Sequence, residues 1–293
     1  MGETHPERIS AMKKPANTAG QLKSEDGRPE IDIPTLIAIS ALAWVLVNVS
    51  HEIIGHAGAA VLLGIPVRAV STTTAAIDSE QVTSIGVYRT IMAAGTVMNL
   101  VAGAVALILL HLMRQAKSAP RYFLWLFSTF SFIIAAMNLV SLMFIGAGDW
   151  TEFIRELEPR GLWTAIIIGV GVILAVLGYI LPLKLWMPEI REHRRTRVAI
   201  TVIPVVTMVI IQSFSLIGSS FVRGSFGAAH LLACVFAYLH FALWAILVNA
   251  LPAPRSTNSL QSICLPRSFG WLAAGLVIAL FYFVVLGPGI GSA

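Results

Sequence analysis

An all-α polytopic membrane protein, with about seven transmembrane helices and a small β-hairpin or reentrant sheet between the first two, is the fold class this sequence predicts. Three observations carry that expectation. Hydrophobic residues make up 57% of the 293-residue chain and charged ones only 12%, about half the charge of an ordinary soluble domain. The apolar residues fall in runs long enough to cross a bilayer as helices, which takes roughly 20 residues each. Between the first two runs the pattern changes to short, β-branched segments.

In order along the chain, residues 1–30 are polar, mixed in charge and contain Pro and Gly, the composition of a disordered tail, here expected in the cytoplasm. They lack the short apolar core of a cleaved signal peptide, so the first span is expected to act as an uncleaved anchor. Apolar runs follow at 33–64, 87–113, 121–147, 161–187, 198–221, 227–251 and 269–288. As a straight helix the first would reach about 48 Å, so it must tilt, break or project beyond the lipid. Gly55, Gly58 and Gly64 are candidate break points. Val67 to Thr74 is β-branched and Ile77 to Ile85 partly alternates, which predicts the hairpin or reentrant sheet. Residues 31–155 form the expected membrane core. Residues 156–293 form a C-terminal four-helix region without a recognisable motif.

The chain is basic, with 20 Lys and Arg against 15 Asp and Glu. The basic residues lie between apolar spans, where they set topology, so nucleic acid is not an expected partner and the bilayer is. With the N-terminus in the cytoplasm, 15 of the 20 Lys and Arg fall inside, leaving Arg68, Arg89, Arg155, Arg160 and Arg223 outside. That asymmetry predicts a cytoplasmic N-terminus, for an integral, multi-pass protein expected in the plasma membrane. The run Arg191–Arg197 is a determinant of that topology. Cys234 and Cys264 are far apart and form neither a disulfide framework nor a metal motif.

His51-Glu52-Ile53-Ile54-Gly55-His56 places two imidazoles and a carboxylate inside the first apolar run. Ionisable groups are costly in lipid and mark function there. The residue types are those of a zinc hydrolase, in which the His pair binds metal and the Glu takes a proton from water. The His spacing is i to i+5, which on an α-helix points the rings about 140° apart. A π-bulge absorbs the extra residue, and Gly55 eases that distortion. A proton relay, haem ligation or a carrier that also uses His240 are the competing readings. His230 and His240 are ten residues apart, about 80° from coincidence on a helix, and read as polar packing groups. Neither His111 nor His193 has a catalytic setting.

The string His-Glu-x-x-Gly-His resembles the zinc motif of the dipeptidyl peptidase III family over those six residues. A wider pattern resembles the site-2 protease class of intramembrane zinc metalloproteases over about residues 33–155. His51 to Leu63 is similar to that class's HExGHA helix with one residue inserted. Ala94-Gly95-Thr96-Val97-Met98-Asn99 is similar to its AGPxxN segment, with Thr96 in place of Pro. Asn138-Leu139 through Gly148-Asp149-Trp150 is similar to its Asn-containing segment that ends in Asp-Gly, with Trp150 in place of Gly and a longer Asn-to-Asp spacing. The resemblance implies a zinc-dependent endopeptidase acting on membrane-embedded or membrane-adjacent protein or peptide substrates. It implies His51, His56 and Asp149 as ligands of Zn2+, with Glu152 the competing acid, and Glu52 as general base. Asn99 and Asn138 would orient the substrate or polarise its carbonyl.

Depth supports the grouping. His51 and His56 fall in the outer half of the first run, Asp149 at the outer end of the third, and Asn99 about 18 Å down the second from its outer start. Gly95, Asn99 and Gly103 form a small-residue stripe whose expected partner is the Gly55/Ala59 face of the first span. A substrate helix must unwind to expose a carbonyl, and the 67–85 stretch offers strand addition to the unwound segment. A polar cavity is expected to open to the outer face, whereas the site-2 class generally places its zinc nearer the cytoplasm. The alternative is a non-catalytic zinc-containing membrane scaffold or transporter, suggested by the inserted residue and the motif-free last four spans.

Overall fold

The computed structural model describes residues 31–113, 118–190, 194–223, 228–251 and 263–291. The 1–30 tail and His193 lie outside the described residues, as does the side chain of His230. Among the described residues, seven helices are long and apolar enough to cross a membrane, and the chain is an all-α polytopic membrane protein. The first span, Ile33–Leu62, is composite. Helix α1 (Ile33–Asn48) runs into a π-helical segment, Val49–Ala57, and then α2 (Gly58–Leu62). Asp32 caps α1 by accepting from the Thr35 amide at 3.0 Å and the Thr35 hydroxyl at 2.8 Å, with Pro34 in the first turn, where its missing N–H costs nothing. Those Thr35 bonds, with Arg267 nearby, hold the Asp32 carboxyl below its ordinary range.

Strands β1 (Val67–Val70) and β2 (Ala75–Ile77) form the expected hairpin, pairing antiparallel. The second span is α3 (Ile85–Leu112). The third is α4 (Ser118–Met137) followed by a π-turn, Asn138–Leu142, and a separate short helix α5 (Asp149–Phe153). Helices α6 (Arg160–Ile190), α7 (Arg194–Arg223) and α8 (Ala228–Ala250) follow, then α9 (Phe269–Leu280) with a third π-segment, Phe281–Leu286. A final strand, β3 (Ile290–Gly291), pairs antiparallel with β1, giving the order β2-β1-β3. This strand lies 220 residues downstream of Val70, and no alternating pattern in the sequence announced it.

The main apolar cluster includes residues from Leu36 to Leu286, crossing the expected boundary at 155/156. Its centre is aromatic. Trp44 meets Phe241 edge-on at 5.6 Å and Phe130 at 6.1 Å, while Trp125 packs against Trp244 at 5.5 Å and stacks on Trp186 at 5.8 Å. Lipid is as apolar as these side chains, so the association rests on close packing rather than on water exclusion. Span seven sits directly against span one. A Cβ on Gly275 would come within 2.7 Å of the Ala38 Cα, and the Asp32 amide donates to the Leu265 carbonyl at 2.7 Å.

Candidate metal centre

The π-segment decides whether the two histidines meet. Its wider turn carries His51 and His56, five residues apart, onto one side of span one. Their Nε2 atoms are 3.3 Å apart and the rings stand edge to face at 4.8 Å. Gly55 lets α3 approach this turn closely, since a Cβ there would lie 2.6 Å from the Gly95 Cα. The expected Gly95/Asn99/Gly103 stripe divides. Gly95 and Asn99 face span one, whereas Gly103 packs against Ser131 and Phe132 of α4.

Asp149 arrives by a turn. The third apolar run stops short of 147, and Gly146 and Gly148 take φ of +70° and +78°, values that favour glycine. The chain then re-enters as α5, packed on α3, with Asp149 as its first residue. Its Oδ2 lies 3.2 Å from His51 Nε2 and 3.3 Å from His56 Nε2. Burial pushes the Asp149 carboxyl up, but the two imidazoles more than offset it and hold the group well below the usual carboxylate range. Among the described residues, His51, His56 and Asp149 are the one group of three His, Cys, Asp or Glu with ligating atoms within 4.8 Å of one another.

The triangle fits a metal ion on two counts. His56 Nδ1 donates to the Ile91 carbonyl at 2.7 Å, which leaves the neutral ring's lone pair on Nε2. That lone pair faces a carboxylate oxygen and a second imidazole nitrogen, an arrangement that calls for a proton or cation among the three. The spacing also matches. Ligating atoms about 2.0–2.1 Å from a tetrahedral zinc lie about 3.3–3.4 Å apart, and the three distances here are 3.2, 3.3 and 3.3 Å. Gly95 borders this space. A Cβ there would come within 2.8 Å of His51 Nε2 and closer still to His56 Nε2.

Asn99 sits against the ligand rather than in the open cavity. Its amide lies 3.2 Å from His51 Nδ1. If His51 Nε2 ligates metal, Nδ1 carries the proton and needs an acceptor, which the amide oxygen supplies after a simple flip of the side chain. In the present rotamer that oxygen has no partner among the described residues. Thr96 and Trp150, the two positions that depart from the site-2 pattern, bond to each other. The Trp150 indole donates to the Thr96 hydroxyl at 2.9 Å and ties α5 to α3 beside Asp149. Glu152 points elsewhere, accepting from the Tyr88 hydroxyl at 2.9 Å and pairing with Arg155 at 3.1 Å.

Glu52 lines a cavity of about 420 Å³ together with His51, His56, Asp149, Asn138 and the β1–β2 turn. Ala75 of β2 lines the same cavity. Asn138 donates to the Ile134 carbonyl at 3.1 Å from its own helix. The far wall of the cavity comes from α7 and α8, through Gln212, Leu216, Ala233, Cys234 and Ala237. The fifth and seventh spans hold the hairpin turn. Ser215 of α7 donates to the Thr72 hydroxyl at 2.5 Å, and the Tyr282 hydroxyl, from the π-segment after α9, donates to the Thr72 carbonyl at 3.4 Å. His240 stays outside the cluster, bonded to the Phe236 carbonyl at 2.8 Å and near Ser141 at 3.4 Å.

Sequence reasoning thus named every residue of the triangle and missed its supports. Ile91 contributes only a carbonyl, which no side-chain pattern reveals. Gly95 reads as helix packing until the imidazoles are placed beside it. The Thr96–Trp150 pair had a signal, two departures from one pattern, but nothing to say they touch. No family model matches the chain, and no curated protein or solved structure matches it.

Proposed function

We propose that this protein is a zinc-dependent intramembrane endopeptidase, with Zn2+ held by His51, His56 and Asp149. The observation that carries the reading is the triangle of two imidazole nitrogens and a carboxylate oxygen at tetrahedral spacing, with Glu52 beside it in a cavity. Bound there, zinc would lower the pKa of a water and polarise a carbonyl. Glu52 takes the proton of the attacking water and returns it to the leaving amine. Ala75, at the start of β2, lines the same cavity as Glu52, so the β2 edge lies beside the carboxylate. That edge is unpaired among the described residues, so an unwound substrate segment can add to it as a strand within reach of Glu52. Ile91 and Asn99 hold the two rings in register, and Asn138 is placed to meet the substrate. The bundle end bearing the sheet and the triangle is the end that the Lys and Arg distribution assigns to the outside of the plasma membrane, with the N-terminus in the cytoplasm.

The test is Glu52→Gln in the purified, zinc-loaded protein and in cells that co-express a tagged single-span membrane reporter. Zinc stays at one per chain, while reporter cleavage falls by at least a hundredfold. Undiminished cleavage would refute the assignment of Glu52. Zinc bound without cleavage of any tested chain would favour the scaffold or transporter reading instead.

A further inference from the structure

The α7–α8 wall of the cavity carries one feature that the metal chemistry does not use. Gln212 is 8% exposed and lines the cavity. Its Oε1 has no partner among the described residues, and Cys234 of the neighbouring helix lines the same wall. A buried amide oxygen left unpaired is costly, and this one belongs to a residue that lines the cavity. The same cavity carries apolar side chains, Ile134 and Met137 of α4 and the small Ala233 and Ala237 of α8, beside the polar Asn48, Thr73, Thr74 and Asn138.

A helix keeps its carbonyls bonded within itself and offers none to the site. A substrate therefore enters as a short non-helical segment. Such a segment has backbone groups on both edges that have lost their helical partners, and in a water-poor site each needs a replacement. The β2 edge supplies them on one side only.

We propose that Gln212 is a substrate-binding residue, whose amide oxygen accepts a backbone N–H of an extended apolar segment that the β2 edge leaves unpaired. The two alanines of α8, with Ile134 and Met137, then receive that segment's apolar side chain. This inference rests on the endopeptidase reading for its substrate class, peptide, and adds where the peptide lies and what the last four spans do.

The test separates the two claims. The zinc-loaded Glu52→Gln protein, which binds without turning over, is titrated with acetyl-Ala-Leu-Ala-Leu-amide and with its singly N-methylated forms, each lacking one N–H donor. One N-methylated form binds about tenfold more weakly than the parent. Adding Gln212→Met, which keeps the side-chain length and removes the amide, weakens the parent by a similar factor and abolishes the penalty for that N-methyl group. Zinc content stays at one per chain in both backgrounds, which excludes simple misfolding. Ala237→Leu, which fills the apolar pocket, weakens all the peptides alike. Equal N-methyl penalties with and without Gln212→Met overturn the proposal, as does a failure of every peptide to bind. Either result leaves the endopeptidase reading to its own cleavage assay, while loss of that reading with the N-methyl pattern intact leaves Gln212 as a peptide-binding residue.

Discussion

Two halves of the chain face the same cavity with different chemistry. Spans one to three contribute His51, Glu52, His56 and, through the turn after α4, Asp149. Spans five and six contribute Gln212, Leu216, Ala233, Cys234 and Ala237 to the far wall, and spans five and seven grip Thr72. The first half concentrates ionisable groups, which are tolerated in a membrane only when something pairs them. The second presents an amide, a thiol and small apolar side chains. The difference separates two tasks. One half holds charge against charge, and the other shapes and fixes the space next to it. Substitutions at or beside His51, His56 and Asp149 in the first half should therefore show in metal content, and those in the second only in substrate handling.

The largest effect is expected at Gly95. A Cβ in the Gly95→Ala variant competes for the space between the imidazoles and the α3 backbone, so purified protein should lose its zinc altogether, as should His56→Ala. Metal analysis of the detergent-solubilised proteins checks both. Full zinc occupancy in Gly95→Ala would mean that the close approach of α3 is not needed for the site. Next is Asn99→Leu, which removes the acceptor for His51 Nδ1 and should weaken zinc about 10–100-fold, read by competition with a chromophoric chelator.

Smaller effects come from the Thr96–Trp150 bond. Trp150→Phe and Thr96→Val should each lower zinc affinity a few-fold, and the double variant should be no weaker than the worse single one, a coupling of about 0.5–1.5 kcal/mol. Additive losses would show that the bond does not help to hold Asp149. The smallest effect is expected across the divide. Ser215→Ala loosens the hairpin turn from α7, and should keep zinc at one per chain while reducing reporter cleavage about threefold. A loss of zinc in Ser215→Ala would erase the distinction between the halves.

Much of the molecule was legible because lipid imposes simple rules. Every backbone group must be satisfied within the span, so long apolar runs read as helices, and seven were found near their expected places. The i to i+5 spacing of His51 and His56 could be reconciled with one metal only by a widened turn, and a π-segment occupies Val49–Ala57. The third run was read too long. Apolar composition continues to residue 147, but the glycine turn at 146–148 ends the span and sets Asp149 on its own helix. A hydropathy pattern carries no record of that change of direction.

Composition and spacing by themselves determined the membrane class, the helix count, the β-hairpin and the pairing of His51 with His56, because these depend on local periodicity and on the high cost of isolated charge in lipid, while Asp149 was named by the resemblance to the site-2 class. Only the tertiary structure decided that Asn99 faces an imidazole, that Thr96 meets Trp150, that β3 returns to β1, and that α7 and α8 close the cavity. Each of those joins residues far apart in the chain, and their partners are chosen by helix contacts that no single segment encodes.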